Sequence, residues 1–376
     1  MITSGEQRPG ILHGAGPSPN RPPVRAVFAE RPLLIYWELT RACELACKHC
    51  RAEAVARRDP RELSTAEGKA LLQRLTGFGQ PRPRLVMTGG DPLKRPDLFE
   101  LIEHARSLGF SVSITPSGTY ALTETVVRRF KEIGIETMAL SLDGSNAQRH
   151  DAIRAVPGSF EWTIQAARHA AAIGLPLQIN TMVCGETIND LSTMVSLVQS
   201  VGSIRWSLFL LVQVGRGQAL RQITHDESKW FFDWLCDITP RVPFAIKTTE
   251  APHYRRVVLQ RMAGARRQGQ TASLPETLQR GFGIRDGNGI MFLSHIGDVY
   301  PSGFLPVAAG NVRDTSPVTA YRDHPLFVGL RKPEQYEGKC GYCEFRNICG
   351  GSRARAWATT GNPMGSDPLC AYEPKR

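Results

Sequence analysis

The chain has 376 residues, 41 % of them apolar, and a formal net charge of +11. That length supports one large domain with an appended segment, built around a substantial core. It contains no uninterrupted apolar run long enough to span a bilayer and no basic-apolar-small leader, so neither a membrane span nor a secretory peptide is expected and the cytoplasm is the default compartment. The basic balance favours acidic partners, but its Arg and Lys residues are scattered without interleaved aromatics, which argues against nucleic acid and for an anionic small molecule.

In chain order, residues 1–30 contain many Pro and Gly and predict a flexible leader. Apolar, β-branched runs at 33–39, 84–88, 111–115, 137–142, 177–183 and 204–212 then predict six strands. Between the first two, Ser64 and Glu67 have the spacing of a capping box and open a helix that ends near Gly77. Further helices are predicted over 97–108, 123–133, 159–173 and 190–201, each followed at once by Gly. Strand, helix and Gly in this order mark parallel βα units, so the expected fold class is α/β. Six units predict a partial (β/α)6 TIM-type barrel over residues 31–240, with an open doubly wound sheet as the alternative.

Either architecture gathers its ligands at the carboxyl ends of the strands. Here those ends are 40–50, 88–92, 115–118, 141–144, 180–183 and 213–217, where the polar and Gly-rich segments fall. After a helix over 226–238 the rhythm breaks. Residues 241–337 are expected to bridge to the C-terminus, with helices and loops over 245–289 and a small hairpin over 290–300. Residues 338–376 carry the last cysteines.

Nine cysteines, seven of them in two short-spaced groups, suit a metal framework in a reducing compartment better than disulfides. Cys184 and Cys236 stand alone and read as buried thiols. Cys43, Cys47 and Cys50 follow the first strand. Three thiolates on one loop can hold three irons of a four-iron cluster and leave the last iron open to a small molecule. Zinc is the alternative, with His49 as a fourth ligand in an awkward place between two ligating cysteines. Cys340, Cys343, Cys349 and Cys370 would close a site with no open position, which suits an electron-transfer cluster or a structural zinc alike.

The spacing of Cys43, Cys47 and Cys50 after a first strand resembles the radical S-adenosylmethionine (SAM) enzymes. Thr88-Gly89-Gly90-Asp91-Pro92 is similar to that family's Gly-Gly-Glu-Pro element, with Asp91 in the Glu place, and the resemblance assigns this region to the methionine amino group. Ser141 to Gly144, including Asp143, resembles the segment near the ribose. Arg154 is similar to an arginine that meets the methionine carboxylate, and Asn180 and Val183 fall where the fifth strand approaches the adenosine. The resemblance implies reductive cleavage of SAM to a 5′-deoxyadenosyl radical that takes hydrogen from the substrate. It also implies an external electron donor such as flavodoxin or ferredoxin.

The C-terminal segment resembles the extension called SPASM, which holds two auxiliary clusters. Ser302 and Arg353 stand where that pattern has cysteines, so the resemblance leaves one auxiliary cluster at Cys340, Cys343, Cys349 and Cys370. Two [4Fe-4S] clusters and SAM are therefore the expected cofactors. A single auxiliary cluster, with the stretch 349–356 and the 367–370 ending, resembles members that remove or decarboxylate tetrapyrrole propionates in haem-type cofactor synthesis. Arg216, Arg255, Arg256 and Arg353 are then candidates for the substrate carboxylates. A peptide maturase acting on a precursor peptide is the rival within this chemistry. A non-catalytic iron-sulfur or zinc module is the rival outside it.

Overall fold

The computed structural model describes residues 28–271, 278 and 283–375. The expected leader lies outside the described residues as far as 27, and its end is anchored. Phe28 is buried, and the Tyr321 hydroxyl donates to its carbonyl at 2.7 Å.

Nine strands form one sheet: β1 (Leu34–Glu38), β2 (Arg84–Thr88), β3 (Val112–Ile114), β4 (Thr137–Ser141), β5 (Leu177–Val183), β6 (Arg205–Leu210), β7 (Ala245–Thr249), β8 (Ile290–Leu293) and β9 (Val299–Tyr300). Their order is β7-β6-β5-β4-β3-β2-β1-β8-β9, parallel at every pairing except β8 with β9. A doubly wound sheet would reverse direction at a switch point, whereas β1 to β7 follow one another without reversal. This is the winding of a barrel left open between β7 and β9, and all six expected strands belong to it.

The covering helices include α1 (Thr65–Leu75), α2 (Leu98–Ser107), α3 (Glu124–Glu132), α4 (Ala147–Arg154), α5 (Ser159–Ala172), α6 (Leu191–Ser200), α7 (His225–Ile238) and α8 (His253–Arg267). The capping box at α1 is complete: the Glu67 N–H donates to Ser64 Oγ at 3.3 Å, and the Ser64 N–H donates to the Glu67 carboxylate at 2.8 Å. After α3 and α5 the chain turns through Gly134 at φ 82° and Gly174 at φ 65°, which a side chain would resist. On the strands one face packs under the helices, as Ile35, Trp37, Leu85, Met87 and Ile179 do with no exposure. The alternate residues line the interior.

Helix α4 was not expected, and two strands depart from expectation. Residues 245–289 begin with β7, which pairs with β6 from Arg205↔Ala245 to Phe209↔Thr249. Its sequence, Ala-Ile-Lys-Thr-Thr, has one large apolar residue, Ile246, so five residues carry no periodic signal. β8 pairs with β9 as a hairpin but also lies parallel to β1, from Leu34↔Ile290 to Trp37↔Leu293. The sheet therefore runs across residue 240 and uses both sides of the expected boundary.

Candidate active site

The loop carrying the first three cysteines is held by backbone contacts that only glycine permits. The Gly90 N–H donates to the Thr40 carbonyl and the Asp91 N–H to the Ala42 carbonyl, both at 2.7 Å. A methyl on Gly89 would stand 2.6 Å from the Thr40 oxygen, and one on Gly90 2.5 Å from the Ala42 oxygen. Both are closer than non-bonded atoms come. From the other side the Cys43 N–H donates to Val55 at 2.8 Å, and Arg216 donates to the carbonyls of Cys47 and Ala54, each at 2.9 Å. Cys43 and Cys47 are buried, and Cys50 is partly exposed. Burial pushes the Cys43 and Cys47 thiols up in the bare protein, so a bound metal charge would be what stabilises their thiolates.

Asp143, just past β4, is the electrostatic centre beside this loop. Its carboxylate contacts Arg154 at 2.6 Å and His49 at 2.9 Å, and accepts the Met182 N–H at 2.7 Å. Burial alone would raise its pKa, but Arg154 and then His49 outweigh that and hold the carboxyl well below the usual range. Arg154 ends α4 and also donates to Cys47 Sγ at 3.5 Å, while its Nε is buried without a partner. Burial and then Arg154 push His150 down to about 4, which suits its neutral Nδ1 accepting the Asp143 N–H at 3.1 Å. Asp91 is fully buried, accepting the Leu93 and Ser117 N–H groups at 3.2 and 3.3 Å. Its carboxylate thus ties the β2 loop, where Pro92 opens a single 3-10 turn, to the β3 loop. Ser141 and Asn180 are register partners on the interior face of β4 and β5.

The second group also comes together. Cys340, Cys343, Cys349 and Cys370 line one small cavity with Lys339, Arg346 and Tyr372. Cys340 Sγ accepts from Arg353 at 3.4 Å and from the Asp367 N–H at 3.5 Å. Asp367 is buried between Arg355, at 3.0 Å, and His253, at 3.2 Å. Burial would raise the Cys370 thiol, but buried His253 outweighs it and the net direction is down. Among the described residues, no three His, Cys, Asp or Glu side chains are close enough together to ligate a single ion.

Three of the arginines proposed for substrate are spent on the protein itself. Arg216 clamps the cysteine loop, as above. Arg353 is fully buried and donates to the carbonyls of Pro363, at 3.0 Å, and Gly365, at 2.7 Å. Arg255 donates to Ile284 at 2.8 Å. Arg256 lies 4.4 Å over the Tyr372 ring, beside the second cysteine cavity. The sequence reading weighed His49 only as a metal ligand and missed its bond to Asp143. That contact spans 94 residues, and no local pattern announces it.

A strand-ordered open barrel with three thiols just past its first strand has the architecture of an α/β enzyme scaffold. A family model described as the Radical SAM superfamily matches residues 37–198. The chain is 40 % identical over 352 residues to the "AdoMet-dependent heme synthase" of Oleidesulfovibrio alaskensis, covering 91 % of this chain and 88 % of that protein. It is 34 % identical over 347 residues to the protein of the same name from Methanosarcina barkeri, covering 91 % and 97 %. Among solved structures, Streptococcus suis SuiB bound to S-adenosylmethionine superposes with a TM-score of 0.70 at 18 % identity, covering 91 % of this chain and 78 % of that one, which shows a shared fold. The chain belongs to the radical SAM superfamily and is an enzyme of that family, with a [4Fe-4S] cluster and SAM as cofactors. Among the described residues, no helix is long and apolar enough to cross a membrane.

Proposed function

We propose that the enzyme converts propionate side chains of an iron tetrapyrrole in the synthesis of a haem-type cofactor. The observation that carries this reading is the likeness, over nine-tenths of the chain, to relatives named AdoMet-dependent haem synthases. Haem keeps two propionates and bears two vinyl groups, so an enzyme that makes vinyls from propionates starts from an iron porphyrin with four propionates.

Cys43, Cys47 and Cys50 are assigned to the cluster that binds SAM. When bound, cluster and SAM together supply one-electron cleavage of a carbon-sulfur bond and, through it, removal of a hydrogen atom from carbon. The chain's part is to position and to exclude water. Gly89, Gly90 and Pro92 shape the backbone edge assigned to the methionine amino group, while the buried carboxylate of Asp91 braces that edge from behind. Asp143 fixes Arg154 beside Cys47, and the unpartnered Arg154 Nε leaves one donor for the methionine carboxylate. Ser141, with Asn180 beside it, offers polar groups to the nucleoside.

Each propionate that loses a hydrogen atom and then carbon dioxide becomes a vinyl group and leaves one electron. Cys340, Cys343, Cys349 and Cys370 would hold a second [4Fe-4S] cluster, which would supply an acceptor for it; that all four thiols line one cavity supports this reading. One electron enters per SAM and one leaves per side chain, so the balance closes. An external donor of the flavodoxin or ferredoxin type starts the cycle.

The test is substrate-stimulated cleavage of SAM. Anaerobically reduced enzyme should release 5′-deoxyadenosine faster with iron coproporphyrin than without it. Stimulation by a precursor peptide and none by the porphyrin would move the assignment to peptide maturation.

A further inference from the structure

The interior faces of β4 to β7 show a charge pattern that the proposed roles do not use. Strand register places Ser141, Asn180, Ser207 and Lys247 in one row across the four strands. One layer towards the strand starts lie Gln178 and Arg205, joined by a 3.2 Å hydrogen bond. Trp206, Leu208 and Ile246 are buried on the other face, so Ser207 and Lys247 point inward. The sequences of β4, β5, β6 and β7 contain no Asp or Glu. Lys247 makes no hydrogen bond or ion pair within the described residues, and the neighbouring Ser207 Oγ is buried without a partner. Lys247 is therefore a cation on this wall without a partner among the described residues. One layer towards the strand ends, Phe209 meets Phe304 with ring centroids 6.4 Å apart, giving an apolar surface above Lys247.

We infer that Lys247, beside Ser207, is a binding site for a carboxylate of the substrate inside the barrel. The inference rests on the proposed tetrapyrrole reading and deepens it. A partly buried ammonium beside an unpaired hydroxyl is a poor arrangement for a resting protein and a good one for a carboxylate, which accepts from both. The held carboxylate is one that does not react. A cation paired with the reacting carboxylate would stabilise it and slow the loss of carbon dioxide. Lys247 lies two strands from Asn180, about 10 Å at ordinary strand spacing. That separation suits a porphyrin anchored at one edge while another edge faces the nucleoside, with the macrocycle resting against Phe209 and Phe304.

The test is an equilibrium titration without reductant, followed by the porphyrin absorbance, using cluster-loaded enzyme, iron coproporphyrin and its tetramethyl ester. Wild type should bind the acid at least ten times more tightly than the ester. Lys247→Gln should weaken binding of the acid by about ten- to a hundredfold and leave the ester unaffected, while Lys247→Arg should retain most of the affinity. Iron content and melting temperature check that the variants fold, and the comparison of acid with ester in wild type needs no variant. Equal binding of acid and ester by wild type, or undiminished binding of the acid by folded Lys247→Gln, overturns the anchor alone. Failure of wild type to bind either porphyrin overturns the tetrapyrrole reading and the anchor with it.

Discussion

Asp91 and Asp143 stand past the ends of β2 and β4, on either side of β3, and their surroundings hold them in opposite charge regimes. Burial pushes Asp91 up to about 6 against the N–H groups of Leu93 and Ser117, whereas Arg154 and His49 hold Asp143 down despite its burial. A carboxyl with a folded pKa above its unfolded value binds more protons in the native state, so its contribution to stability is lost as pH rises through the folded pKa. Asp91 should therefore cost the protein about 1 kcal/mol between about pH 5 and pH 7.5, and Asp91→Asn should remove that slope from denaturant unfolding. An unchanged slope would mean that Asp91 is ionised throughout. Removing the Arg154 guanidinium should cost more, because Arg154→Gln takes the strongest counter-charge from a buried carboxylate. Loss of about 3 kcal/mol or more in unfolding free energy is expected, and a loss below about 1 kcal/mol would contradict the pairing. At this scale the sequence was half legible. Residue types on strand ends could be read, but the partners of His49, Arg216 and Arg353 are tertiary contacts with no local signature.

Between elements, the decisive contact is the approach of the β2 loop to the cysteine loop. Gly90→Ala would put a methyl against the Ala42 carbonyl, with backbone on both sides and no flexible side chain to yield. The loops should separate, and iron should fall by about four per chain with the C-terminal iron retained. Full iron content in Gly90→Ala would show that the approach is dispensable. Up to residue 238 the strands were legible as runs of apolar residues and the helices, apart from α4, by a capping box or a following Gly. β7 was not, since half of a strand that lines a polar interior is itself polar. For the same reason Lys247 escaped notice: without β7 it had no face to belong to.

For the whole molecule, the two cysteine groups lie on one scaffold. Arg355 ties the C-terminal segment to the ends of β6 and β7, donating to the carbonyls of Leu211, at 3.3 Å, and Glu250, at 2.7 Å, as well as to Asp367. The second cavity is thereby fixed to the barrel rim. Anaerobically reconstituted protein should hold about eight irons, falling to about four in Cys43→Ala. One zinc in place of the last four irons would remove the electron-acceptor role. The most direct test of the central claim is the mass of the porphyrin recovered after turnover, measured together with 5′-deoxyadenosine. Iron coproporphyrin should lose one carbon dioxide and two hydrogens per converted side chain, with one 5′-deoxyadenosine formed for each and none in Cys47→Ala. Recovery of unaltered porphyrin while wild type cleaves SAM would contradict the assignment.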